Sequence, residues 1–219
     1  MAYLLTNGLL SLHVPKTAGK AWEHWIKETA DVVDRQVCNQ HYSYEDILKV
    51  HPELDNNDYM MTVRNPYSRI VSWYHHSRDV YVYNINKPGM RKKIPPPPPE
   101  SPHFQPSFEE WVKRKELKDF PPNTRKRTST SYGTCKSYMH PSGRMPKYLL
   151  RFETLSEDIK ALQEVFNCDE PLEIQNPTVS FKGRDWRTEY KSQYTKDFIY
   201  DYFREDFEFF GYDRKFPAD

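Results

Sequence analysis

The chain has 219 residues, 37% hydrophobic, 29% charged and 15% aromatic, with a formal net charge of +1. That length suits one well-packed α/β domain and is short for two, and the composition excludes an intrinsically disordered chain. A global charge so near zero makes no trap for nucleic acid, so any anion site must come from local clustering.

No apolar run approaches the roughly 18 residues of a membrane span. The opening residues MAYLLTNGLLSLHVPKT carry no basic leader and no cleavage site, and read as the first strand. Cys38, Cys135 and Cys168 are odd in number and widely spaced, which argues against a disulfide framework or a thiolate zinc site. A cytoplasmic, reducing setting is the simplest expectation, and a start so close to Met1 is expected of a bacterial or viral protein without a membrane anchor.

Residues 9–14 form an apolar run ended by Pro15, and 20–30 predict a helix with Trp22, Trp25 and Ile26 on one face. A short strand is expected near 35–40, then a helix through Val50 with Ser43 as N-cap and Asp46 in the capping-box position. Residues 58–63 read as a buried strand and 67–78 as a helix. From about 84 to 107 the chain carries Arg91, Lys92 and Lys93 and five prolines at 95–99, a surface insertion stiff in its proline part. A helix at 107–118 and a polar, basic stretch at 121–146 (Arg125, Lys126, Arg127) follow. The chain closes with a strand at 147–152, a helix to Phe166 capped by Thr154 and Glu157, and a helix at 196–210 stopped by Gly211. This alternation predicts an α/β fold in a single domain over 1–219. It has a mostly parallel sheet of about four or five strands flanked by helices on both faces.

Two strand–helix junctions carry the chemistry. In the first, His13 to Trp22, the small residues Ala18 and Gly19 let backbone N–H groups approach an anion. The helix dipole and Lys16 add positive charge there. It is not a Walker A loop: Val14 stands where its first glycine belongs, and Ala21 follows Gly19-Lys20 where a metal-binding Ser or Thr is needed. In the second, Arg64 ends a strand and Ser72 lies two turns into the next helix, a guanidinium and a hydroxyl suited to a phosphate dianion.

The loop HVPKTAGKAW resembles the 5′-phosphosulfate loop of carbohydrate-type sulfotransferases that use 3′-phosphoadenylyl sulfate (PAPS), usually PKTGGTS or PKSGTTW. R-N-P-x-x-R-x-x-S at 64–72 is similar to that family's 3′-phosphate motif. The segment at 181–190 resembles its K-G-x-x-G-D-W closure, one spacer shorter and without the second glycine. Tyr202, Asp206, Phe207 and Phe210 to Tyr212 resemble its aromatic ending. The resemblance implies a P-loop NTPase-like three-layer sandwich. Lys16 would then meet the 5′-phosphate and the bridging oxygen, and Thr17, Ala18, Gly19, Lys20, Ala21 and Trp22 would complete the cradle. Arg64 and Ser72 would hold the 3′-phosphate, with Lys182, Gly183 and Arg184 closing over it and Arg69 bracing the helix. Lys20-Ala21 replaces the family's two hydroxyl residues.

In-line sulfuryl transfer needs a base and no metal. His41, just after the strand at 35–40, is the candidate; His140 and Glu45 are the fallbacks, and His75 and His76 read as surface or core residues. The expected partners are PAPS, with 3′-phosphoadenosine 5′-phosphate (PAP) as product, and an acceptor hydroxyl. The basic residues of 84–146 suit an anionic glycan. A P-loop-like kinase and a non-catalytic nucleotide-binding module, the latter using its polyproline segment, are the alternatives.

Overall fold

The computed structural model describes residues 2–29, 33–38, 41–86, 107–114, 133–172 and 183–217. The prolines at 95–99, nearly all of the 84–107 insertion, the six basic residues named in 84–146, and Lys182 lie outside the described residues.

Five strands, β1 (Ala2–Leu5), β2 (Leu10–Leu12), β3 (Val33–Cys38), β4 (Tyr59–Val63) and β5 (Tyr148–Arg151), form one sheet ordered β3-β1-β2-β4-β5. β2, β4 and β5 run parallel, whereas β1 is antiparallel to both β2 and β3. The sheet is therefore mixed and not mostly parallel. The cause is the N-terminus, which is a hairpin and not a single strand. Gly8 takes φ +80° and its amide donates to Leu5 O at 2.8 Å, while Leu5 N donates to Leu9 O at 2.9 Å. Asn7-Gly8 is a strong hairpin signal in sequence, since both residues tolerate positive φ.

The residues divide into two units, the first comprising 1–65 and 122–176 and the second 66–121 and 177–219. The first unit holds the sheet with helices α1 (Gly19–Glu28), α2 (Tyr44–Leu48) and, placed here by chain order after two helices of the second unit, α5 (Leu155–Phe166). Trp22, Trp25 and Ile26 of α1 and Leu155, Ile159 and Leu162 of α5 pack on Tyr3, Leu5, Met60 and Leu150 of the sheet. Side chains of this size contribute roughly 2–3 kcal/mol each when fully buried. Ser43 caps α2 as expected, accepting from the Asp46 amide at 3.2 Å. Thr154 does not cap α5. A 3-10 turn at Phe152–Thr154 precedes the helix, and the Asp158 carboxylate accepts instead from the Arg151 amide at 2.7 Å.

The second unit comprises α3 (Pro66–Asn86), α4 (Phe108–Arg114), a 3-10 turn at Trp186–Glu189, α6 (Gln193–Tyr202) and α7 (Arg204–Phe210). The helix expected at 196–210 is thus two helices, broken at Phe203, and Gly211 ends the second with φ +67°. Edge-to-face rings bind the unit, among them Trp73 on Trp111, Phe108 on Tyr190 and Tyr67 on Phe207. Arg69 is buried and pairs with the buried Asp206 at 3.6 Å, joining α3 to α7. Its role is to brace.

Candidate active site

The connection from β2 to α1 is short and sharply bent. Lys16 and Ala18 both adopt left-handed conformations, with φ of 66° and 68°. For residues with a Cβ this costs roughly 1–2 kcal/mol each, so the surrounding structure must enforce it. Thr17 does the enforcing. Its fully buried hydroxyl is bonded to Val14 O at 2.8 Å and to the Thr62 hydroxyl of β4 at 3.0 Å, closing the loop on itself and tying it to β4. A loop bent in this way makes an N–H-rich concavity of the kind that holds anions. Ala18, at the N-cap of α1, makes no side-chain cap and no acidic residue lies in the first turn, so the helix end keeps its positive character.

Gly19 is fixed by a close approach. A Cβ there would lie 1.9 Å from Cδ2 and Nε2 of His13, whose ring covers the glycine. His13 is buried at 8% exposure, and its Nδ1 is sealed from solvent with no hydrogen-bond partner among the described residues. Burial, reinforced by the N-terminal ammonium, His41, Lys20 and Lys16, pushes its pKa down to about 2. His41 meets it edge to face at 4.5 Å, with His41 Nδ1 3.3 Å from His13 O. The exposed His41 ring is thereby docked at the loop's entrance.

The His13 shift carries a pH signature. The unfolded chain takes up this proton near pH 6.5 and the folded one only near pH 2, so stability is complete above 6.5 and falls as pH drops below it. Between pH 7 and 5 the loss assignable to His13 is about 2 kcal/mol. Urea unfolding at the two pH values is expected to show that loss in the wild type and a flatter response in His13→Asn. An equal loss in both would show that His13 is not the group responsible.

Arg64 follows β4 at the same carboxyl edge. Its Nη1 donates to Lys16 O at 3.3 Å, and its guanidinium lies 3.8 Å from the centre of the Phe152 ring. The neighbouring Asn65 amide donates to Glu153 at 2.8 Å, locking the end of β4 to that of β5. Parallel strands β2, β4 and β5 therefore deliver the loop, Arg64 and Phe152 to one edge, where ligands of such sheets bind.

The first unit thus brings together Lys16, Thr17, Ala18, Gly19, His41 and Arg64. Lys20 is exposed, while Ala21 and Trp22 turn their side chains into the core and leave only backbone to a ligand; Trp22 Nε1 donates to Ser11 at 2.7 Å. Ser72, on α3 and half-buried, and the exposed Gly183 and Arg184 belong to the second unit. The fallback bases are engaged elsewhere. His140 binds Asp55 at 3.0 Å and Ser142 at 2.7 Å, and Glu45 pairs with Lys49 at 3.4 Å. His75 is a core residue bonded to Glu189 at 2.9 Å, and His76 is exposed. Sequence reasoning assigned no role to His13 or Phe152. His13 stood in the quoted loop, but its contact with Gly19 depends on the bend, and Phe152 reaches Arg64 only through the β4–β5 pairing.

No helix among the described residues is long and apolar enough to cross a membrane. A family model described as "Sulfotransferase family" matches residues 5–213. No curated protein and no solved structure matches the chain.

Proposed function

The chain belongs to the sulfotransferase family, and we propose that it moves a sulfuryl group from PAPS to an acceptor hydroxyl by in-line displacement. The observation that carries this reading is the strained Lys16–Ala18 loop with Arg64 bonded to its backbone. Two non-glycine residues held left-handed are a stored cost that an anion site explains. On this reading the parallel half of the sheet serves as a P-loop-type platform within a single functional domain. The loop amides hold the 5′-phosphosulfate, and Lys16 neutralises charge growing on the departing phosphate oxygen. Arg64, steadied by Phe152, takes the 3′-phosphate. The products are PAP and a sulfated acceptor, for which a glycan hydroxyl is a fitting class.

His41 is the base. His13 cannot serve: its Nδ1 is sealed, and burial opposes the charge it would acquire. Two imidazolium charges this close would repel, so a neutral His13 leaves its exposed neighbour free of that penalty when it takes the acceptor's proton.

The test is calorimetry of the full chain with PAP and with ADP. PAP is expected to bind at least about tenfold more tightly, since a charge-assisted contact to the 3′-phosphate is worth roughly 1.5–3 kcal/mol. Equal affinity for the two would remove PAPS as donor and restore the kinase and simple nucleotide-binding readings.

A further inference from the structure

Within the second unit, Tyr67 and residues drawn from two stretches, 187–200 and 213–217, line an open cleft of about 960 Å³. Its walls carry five cations, Arg187, Lys191, Lys196, Arg214 and Lys215, against two carboxylates, Asp197 and Asp213. Both carboxylates are already engaged. Asp197 accepts from Gln193 Nε2 at 3.0 Å, and Asp213 from the Lys215 amide at 2.8 Å. Arg187 is paired with Asp185, but Lys191, Lys196, Arg214 and Lys215 form no ion pair among the described residues.

Two of these four charges are held in place by rings. Lys196 Nζ lies 4.3 Å from the centre of Phe216, and the Arg214 guanidinium lies 4.8 Å from that of Tyr200. The supporting rings are fixed in turn, Tyr67 on Phe216 at 5.1 Å and Tyr190 on Phe216 at 4.8 Å, and Tyr67 Oη donates to Arg214 O at 3.1 Å. A cation resting on an aromatic face keeps its charge while losing rotamer freedom before any ligand arrives. With Arg187 paired to Asp185, the four remaining cations outnumber the two wall carboxylates by two, so the cleft keeps a net positive charge that an entering anion relieves. The volume lies in the range of small-molecule pockets and far exceeds the needs of a single sulfate ion. A duplex or single-stranded nucleic acid is a poorer fit, because it asks for a long basic stripe and the chain as a whole is only +1.

We propose that this cleft is a second anion site, built from none of the donor-loop residues, for a small molecule carrying two or more sulfate or phosphate ester groups. The inference stands on the second unit alone and does not depend on PAPS being the donor.

Calorimetry of the full chain at low salt with sucrose octasulfate and inositol hexakisphosphate as probes tests it. Binding of either probe is expected, and the tighter one identifies the ester preferred. Lys196→Glu/Arg214→Glu should weaken binding by at least about tenfold, from the loss of two charge-assisted contacts. Lys191→Glu/Lys215→Glu, at exposed positions that hold no ring, should do the same without touching the aromatic scaffold. Prior saturation with PAP should leave probe affinity unchanged. Undiminished binding in both double variants would overturn the proposal, as would displacement of the probe by PAP. A mixed-sequence oligonucleotide binding as tightly as the probes would overturn it as well, by making the face a nucleic-acid surface.

Discussion

Replacing Lys16 with alanine is expected to lower sulfuryl transfer by about 10²- to 10³-fold, the range for removing one donor from a developing oxyanion. His41→Ala should cost about 10²- to 10⁴-fold, the range of a general base, and should abolish the rise of rate with pH as the imidazole deprotonates. Transfer of radiolabel from PAPS to a panel of glycans, phenols and amines measures both. The two losses have different shapes. Lys16 acts on the leaving group, so Lys16→Ala should keep the pH dependence that His41→Ala removes. An undiminished rate in Lys16→Ala would exclude the proposed mechanism, and a retained pH limb in His41→Ala would pass the base role to another residue.

Gly19→Ala is the second large effect. The added methyl would sit 1.9 Å from the His13 ring, a distance that no small adjustment relieves, so either the imidazole or the loop must move. Overpacking of this kind costs roughly 1–3 kcal/mol, and here the displaced group is the one that docks His41. PAP affinity should fall about 10- to 100-fold by calorimetry. Adding His13→Ala to Gly19→Ala clears the space and should recover part of that loss, so the two substitutions should be strongly non-additive. Wild-type affinity in the single variant would show that the loop does not need this contact.

The same loop also shows where the chain departs from its family's usual pattern. Ala18 holds a left-handed conformation that the usual glycine adopts freely, and Ala21 is buried where a hydroxyl residue is the rule. On the proposed reading, backbone amides, Lys16 and the exposed Lys20 would hold the anion, with fewer side-chain hydroxyls at hand.

The local signals in the sequence were enough for much of this. The strands ending before Pro15 and Asn65, the α1 face of Trp22, Trp25 and Ile26, the Ser43 cap and the Gly211 stop are each set by a residue's own stereochemistry. The placing of Lys16, Gly19 and Arg64 just past strand ends was legible as well, because it follows from where each apolar run stops. Strand direction was not legible from helix–strand alternation, because it follows from whether the chain reverses at Asn7-Gly8, and that reversal makes the sheet mixed. Nor was the contact between His13 and His41. His13 and His41 are 28 residues apart, and only the pairing of β1 with β2 and β3 sets their rings 4.5 Å apart. Residue type placed the candidate chemistry on the chain; burial and strand pairing, which depend on distant partners, decided that His13 is sealed and neutral and that His41 stands exposed beside it.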